Sequence, residues 1–399
     1  MNILFCGCVP FPHGLGASVH MLTLARGMAV NGHGVQVVSP WPTEPYRNSA
    51  NTEVSGVADG IPFCYVCGRT GYPVRGKLLP YYKFWMYFYG LFRLAIYMSH
   101  YPGGQKPNLV FAHGEYYFLI PLHFFCRYFK IPLIHIKGEF PFCGRKVTGI
   151  KRLSAWLDRH IGYRFADGML VATQTLQEYY MQLARPDCRF FQLPLLIDMV
   201  AFDAVPAQTG KDEFITYCGH MGYNKDGVEI LIQAFAWISL KFPAIKLKLI
   251  GTASLSELKK LKQLTGELNI ADRVIFTGQL PHHEVLSHLK NSKVLALARP
   301  DNKQAQGGFP SKVGEYLLTG RPVVITAVGE IPQYLTDGVN AFLAIPDSVE
   351  SFAEKLIQVL SNEQQAAEVG KQGRELAITR FDSRNICKSL LDFFLIPQN

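Results

Sequence analysis

One arrangement is stated twice in this chain and leaves little freedom in how it folds: an apolar run, a glycine-bearing loop, a helical spacing and a second apolar run. Asn2 to Gly7 reads as a strand, residues 9–17 as a Pro/Gly loop, and residues 18–31 as a helix spaced through Val19, Leu22, Ala25 and Ala29 and ended by Gly32. Residues 35–38 supply the next strand. In that order they make a βαβ unit with parallel strands. The rhythm restarts after a polar stretch at 203–212. Phe214 to Cys218 is a strand, residues 219–224 a loop, and Val228, Leu231, Ile232, Phe235 and Ile238 space a helix. Further strands fall at 246–250, 273–276, 294–297 and 323–326. At 399 residues the chain is long for one core, so two α/β domains are expected, at 1–205 and 206–380, with an amphipathic helix at 381–399.

The first loop is not a dinucleotide fingerprint. Gly14-x-Gly16 lacks a third glycine, because Val19 holds that place, and the second strand ends in Ser39 rather than in an acid for a ribose. Two readings remain for Gly14 and Gly16: a backbone that a phosphate or sugar approaches, or a tight turn.

A second glycine loop lies at Gln306-Gly307-Gly308-Phe309-Pro310-Ser311-Lys312, running into a short helix that Gly320 and Pro322 stop before the strand 323–326. Pro310 suits a helix entry and Ser311 an N-cap. Uncovered amides ahead of a helix are suited to a phosphate. Glu315 stands among Val313, Tyr316, Leu317 and Leu318, where a charge is costly without a partner. It either meets a ligand's hydroxyls or sits at the helix's exposed edge. Lys225, where the loop at 219–224 meets its helix, suits an anion.

The apolar share of 48% against 18% charged residues describes a folded globular protein, and the formal charge of +9 directs attention to anionic partners. No motif for reading bases accompanies it, so nucleic acid is not expected. Residues 60–114 contain no Asp or Glu, carry Arg69, Arg75, Lys77, Lys83, Arg93 and Lys106, and include ten aromatic residues between Tyr81 and Tyr101. Most of those rings are expected to be core on a sheet-covering helix. The remainder would contact an anionic membrane surface. The nine cysteines are scattered, and Cys64-x-x-Cys67 has no second pair at zinc spacing, so buried thiols are expected and no metal. Residues 1–7 lack the basic segment of a signal peptide, and no run of about 20 apolar residues would span a bilayer. A cytoplasmic location is expected, peripheral at the inner membrane face if the basic aromatic stretch makes that contact.

In the first half, strands at 108–111 and 133–136 are followed by His113, Glu115, Lys137, Gly138 and Glu139. Open α/β sheets place ligands beyond the carboxyl ends of their strands.

Several strings together resemble the GT-B glycosyltransferases, specifically glycosyltransferase family 4, over nearly the whole chain. They are Gly219-x5-Lys225-Asp226-Gly227, Arg273-Val274-Ile275-Phe276-Thr277-Gly278, Gly308-Phe309-Pro310-Ser311-Lys312-x2-Glu315-Tyr316 and Gly320-Arg321-Pro322-Val323-Val324. Ala166-Asp167-Gly168 and Leu193-Pro194, with Asp198 and Phe202, are similar to the family's interdomain region. The resemblance implies two Rossmann-like doubly wound parallel-sheet domains facing a cleft, with the final helix returning to the first domain. It implies that Glu315 holds the donor's ribose hydroxyls. It implies that Lys225, with the amides of Gly307, Gly308 and Phe309, offsets the diphosphate. The same comparison assigns donor contacts to Gly14, Gly16, Gly219, His220, Lys312 and the segment Gly278-Gln279-Leu280. His13, His113, Lys137 and Glu139 are further candidates for sugar and acceptor. The family's usual glutamate eight positions before Glu315 is Gly307 here, and its phosphate-binding arginine is His220.

The implied activity is a metal-independent, retaining transfer of a sugar from a nucleotide-sugar, a co-substrate rather than a cofactor, to a glycan or lipid-linked acceptor. Fixed cations and amides at the departing diphosphate stabilise such a transition state. The alternative of another class is a degenerate GT-B protein that binds a nucleotide-sugar or glycan without transfer, motivated by Gly307 and His220. An NAD-dependent enzyme is disfavoured by Val19 and Ser39.

Overall fold

A computed structural model describes residues 1–14, 16–73, 79–102, 104–141, 150–193, 195–206, 213–222 and 225–395. Arg75, Lys77, Pro194, Asn224 and the polar stretch 207–212 lie outside the described residues. The chain divides into two compact units, Met1–Leu196 with Ser383–Asn399, and Ile197–Asp382.

In the first unit the described strands run in the order Arg189–Gln192, Gly168–Val171, Leu133–Lys137, Leu109–His113, Asn2–Gly7, Gly34–Ser39, Ile61–Tyr65, Ser55–Ala58. All pairs are parallel except the last, a hairpin that the sequence pattern did not reveal. Because side chains alternate across a strand, Ile3 and Phe5 join one core and Leu4 and Cys6 another. Phe5 stacks on Phe111 at 5.1 Å between centroids. Met21, Leu24 and Met28 of the helix Gly16–Val30 cover the first face, with Cys387, Leu390 and Leu391 of the helix Ser383–Leu395. Each such buried side chain contributes about 1.5–3 kcal/mol. Gly27 permits the approach of these two helices, since a Cβ there would lie 2.7 Å from Cys387 Sγ and 2.8 Å from the Ser383 carbonyl. The helices Leu79–Ser99 and Tyr116–Phe129 cover the second face.

Two expectations are corrected in this unit. Only half of the ten rings between Tyr81 and Tyr101 are core: Tyr82, Tyr87, Tyr89, Tyr97 and Tyr101 join or pack against it beside Met86, Gly90, Leu91, Leu94 and Met98, while Tyr81, Phe84, Trp85, Phe88 and Phe92 are exposed. Gly90 seats the aliphatic side closely, for a Cβ there would fall 2.4 Å from the Pro40 carbonyl. The boundary is not at 205. Ile197 donates its amide to the Phe381 carbonyl at 2.9 Å and pairs with Asp382. The helix Met199–Asp203, capped by Asp198, then holds to the second unit through Lys290 Nζ, which donates to the Phe202 carbonyl at 2.7 Å.

The second unit is a parallel sheet in the order Val274–Gly278, Lys246–Ile250, Phe214–Cys218, Val294–Leu297, Val323–Thr326, Phe342–Ala344. Its central strands are buried on both faces, which is why 294–297 and 323–326 read as unbroken apolar runs. Among the described residues no helix is long and apolar enough to cross a membrane.

Candidate functional site

In the second unit the loops beyond the carboxyl ends of the strands gather around one carboxylate. Asp226 is 4% exposed and forms an ion pair with Lys312 Nζ. It also accepts from the Tyr217 hydroxyl at 2.8 Å and lies 3.9 Å from Arg299 Nε. Burial works to raise its carboxyl, but Lys312, Arg299 and Tyr217 outweigh that and hold it below the ordinary range. Burial and the Asp226 charge push the Tyr217 hydroxyl well up, so it stays a donor.

Arg299, itself 2% exposed, donates to the Gly308 carbonyl at 3.0 Å. One buried ion network therefore ties the strand end at 217–218, the turn at 225–227 and the glycine loop at 307–309. Gly227 makes the turn possible: it is left-handed at φ +64°, and a Cβ there would lie 1.8 Å from the Ala298 carbonyl.

Glu315 belongs to the helix Lys312–Leu318, with its side chain 31% exposed and its Oε1 3.8 Å from His282 Nε2. Burial pushes its carboxyl above the usual range, and His282 and Lys312 pull it partly back. The glycine loop is preceded by a short helix, Lys303–Gly307, that the sequence pattern did not reveal. Gly308 caps it in extended conformation, φ −124° and ψ 137°, and its amide makes no capping bond to that helix. Ser311 stands at the N-cap position of the next helix but makes no side-chain cap there, because its own backbone is already helical at φ −53° and ψ −31°.

Lys225 is not a first-turn residue. The helix begins at Val228 with Gly227 as its cap, so Lys225 lies in the preceding turn, its amide donating to the Gly222 carbonyl at 3.3 Å. The dipole argument for an anion at Lys225 lapses with that. Gly219 sits so close to the network that a Cβ would fall 2.1 Å from Lys312 Nζ. His220 is exposed, and its Nδ1 accepts from the Gly222 amide at 3.0 Å. Gly278 ends an edge strand at φ +73° with open space where a Cβ would point, followed by exposed Gln279 and half-buried Leu280. Phe309 packs edge-on against Tyr334, at 5.3 Å between centroids.

In the first unit His113 and Lys137 are the last residues of neighbouring strands. Lys137 Nζ donates to the Gly114 carbonyl at 3.0 Å and lies 5.1 Å from the Tyr163 ring centroid. Burial lowers its pKa, against the pull of Asp158 and Glu115. Burial also brings His113 down to about 4, with Lys137 and His20 adding to the effect, so His113 is neutral at pH 7. Asp158 is 3% exposed, accepts from the Tyr116 amide at 2.7 Å, and is pushed up by burial to about 6.

His135, two residues before Lys137 on the same strand, is fully buried, with neither ring nitrogen hydrogen-bonded. Glu139 is exposed, and its carbonyl accepts from the Tyr180 hydroxyl at 3.2 Å. His13 is exposed, its backbone strapped by Asn51, which accepts from its amide at 2.8 Å and donates to its carbonyl at 2.7 Å. Gly14 serves the turn, as a Cβ there would strike Ser18 Oγ and the Pro10 carbonyl. Gly16 opens the helix with free space beside it.

Four contributors went unassigned in the sequence: Asp226, Arg299, His282 and Asp158. A charged residue two positions after a buried strand, as Arg299 is, was the available signal. His282 and Asp158 come near their partners only through the tertiary fold.

Residues 15–199 match the family described as Glycosyltransferase Family 4, and residues 201–376 the family described as Glycosyl transferases group 1. The chain is similar to N-acetyl-alpha-D-glucosaminyl L-malate synthase of Bacillus anthracis, 30% identical over 159 residues, covering 40% of this chain and 39% of that protein. The chain spans about two-fifths of the length of the first curated relatives it matches. In fold it is similar to sucrose-phosphate synthase from Thermosynechococcus elongatus, with a TM-score of 0.73 at 18% identity, covering 99% and 98% of the two chains. It is also similar to Anabaena HepE, solved in complex with UDP and glucose, with a TM-score of 0.69 at 18% identity over 99% of both chains.

Proposed function

The chain belongs to the family 4 glycosyltransferases of GT-B fold, and we propose that it moves a sugar from a nucleotide-sugar to a glycan or lipid-linked acceptor with retention of configuration. The observation that carries the donor reading is Glu315: a carboxylate whose ionisation burial opposes, left about one-third exposed beside the His282 imidazole. Ribose hydroxyls would supply the donors it lacks, each charge-assisted bond contributing about 1.5–3 kcal/mol.

Lys225, Lys312 and the amides of Gly308 and Phe309 are assigned to the departing diphosphate, which gains charge as the sugar leaves and needs no resident metal if these groups offset it. Lys312 is held in place by Asp226, so its charge is positioned before the donor arrives. His220 and Gly307 stand where the family pattern has an arginine and a glutamate. The described cysteines are free thiols, in keeping with a reducing, cytoplasmic compartment.

A thermal-shift screen of UDP-, GDP- and ADP-sugars tests the donor, since a bound donor raises the midpoint by mass action. NMR of the product's anomeric proton tests retention. The donor reading is wrong if no nucleoside diphosphate or nucleotide-sugar stabilises the protein. Tight donor binding, with neither hydrolysis nor transfer across an acceptor panel, would favour the degenerate binder.

A further inference from the structure

The helix Leu79–Ser99 has two apolar faces, and the fold uses one. Met86, Gly90, Leu91, Leu94 and Met98 are buried. Tyr81, Phe84, Trp85, Phe88 and Phe92 fall at i, i+3, i+4, i+7 and i+11, one stripe of a helix, and are 73, 68, 61, 54 and 62% exposed. Phe84 meets Phe88 edge-on and Trp85 stacks on Tyr89, each pair 4.9 Å between centroids. Scattered exposed apolar residues are ordinary, whereas a continuous ridge of rings marks a surface that something covers. The adjoining helix Tyr116–Phe129 is joined to it by Tyr87, whose hydroxyl donates to the Tyr117 carbonyl at 2.6 Å, and it exposes Phe124 and Tyr128 as well.

The charge around these helices selects the partner. The two helices carry Lys83, Arg93 and Arg127, all exposed, and neither contains an Asp or Glu. Lys83 stands exposed inside the aromatic segment, its Nζ 4.9 Å from the Tyr72 ring centroid. A second copy of the chain is disfavoured, because a two-fold contact would set this basic face against itself.

We propose that the Tyr81–Phe92 stripe docks this protein on an anionic lipid bilayer. The helix lies in the plane of the interface, its rings entering the boundary between headgroups and acyl chains, while Lys83 and the neighbouring basic residues meet lipid phosphates. The helix itself is not apolar enough to cross.

The test is co-sedimentation of the whole protein with phosphatidylglycerol–phosphatidylcholine vesicles, with phosphatidylcholine vesicles as the second arm. Binding should be at least about five-fold stronger to the anionic vesicles at low salt, the effect of one basic residue near a charged surface. Salt should release it. Tryptophan emission should shift to the blue on binding, and Trp85→Phe should remove most of that shift. Trp85→Ser with Phe88→Ser should weaken binding about ten-fold or more. Both side chains are exposed, so the double variant should keep the parent's denaturation midpoint, which separates lost docking from lost folding. The proposal is overturned by no binding at low salt, by equal binding to phosphatidylcholine, or by unchanged binding of the folded double variant. It is equally overturned if sedimentation velocity shows a dimer that the double variant dissociates, since the stripe would then be a self-association face.

Discussion

His282 Nε2 lies 3.8 Å from Glu315 Oε1, which sets the first residue of one helix beside a carboxylate on another. The two residues are 33 positions apart in the chain, and their meeting gives Glu315 a partner that no local pattern announced.

Glu315 should show a conflict between stability and function. Its folded pKa is raised, so its protonated form favours the native state. That contribution is present below the unfolded value of about 4.5 and lost as pH rises through the folded value. At pH 7.5, above the unfolded value, the group is therefore a liability to the unliganded protein. Glu315→Gln should melt no lower than the parent at that pH, yet bind donor about 10- to 100-fold more weakly. Scanning fluorimetry paired with a donor titration reads both. A lower midpoint with donor affinity intact would count against the assignment.

Asp226 should behave in the opposite way. Its folded pKa is depressed, so it stabilises above the unfolded value of 3.8 and that stability is lost as pH falls through the folded value. Asp226→Asn leaves Lys312 and Arg299 facing each other without a countercharge, at a cost of about 3–5 kcal/mol. Urea midpoints at pH 7 should drop accordingly. The gap between variant and parent should narrow in strong acid, and a constant gap would contradict the linkage.

Two glycines with nearly the same backbone should respond very differently to alanine. Gly227 and Gly278 have φ of +64° and +73°, but a Cβ at Gly227 would sit 1.8 Å from the Ala298 carbonyl whereas at Gly278 it meets nothing within 4 Å. Gly278→Ala should cost about 1 kcal/mol, the left-handed penalty alone. Gly227→Ala should cost several times that and loosen the Asp226 turn. Equal losses in chemical denaturation would mean that backbone strain, rather than crowding, sets both.

His135 is fully buried with neither nitrogen hydrogen-bonded, and burial holds its pKa well below the ordinary value. An unsatisfied buried polar group costs about 1–3 kcal/mol. His135→Leu, close in volume, should therefore stabilise the protein by about 1 kcal/mol. A destabilised variant would show that His135 has a polar task here.

The sheets were legible because central parallel strands are apolar on both faces, as at 294–297 and 323–326, and because Gly219, Gly278 and Gly320 punctuate them. The hairpin Ser55–Ala58 with Ile61–Tyr65 was missed because an edge strand with one wet face has a weak pattern. Half of the rings between Tyr81 and Tyr101 were misplaced for a related reason: aromatic content signals burial only when one face is apolar, and this helix has two. At the site, Glu315 and Lys225 were legible as residues in a string. Their environments were not, because the His282 contact and the Asp226 network depend on elements brought together from distant parts of the chain.

The terminal helix has a consequence for how the protein is made. Cys387, Leu390 and Leu391 of Ser383–Leu395 complete the core that Gly16–Val30 begins. The whole of Ile197–Asp382 is synthesised between those two contributions. On the ribosome the first unit therefore waits with an open apolar seam beside Gly27 until the second unit has emerged. The half that starts first is the half that finishes last.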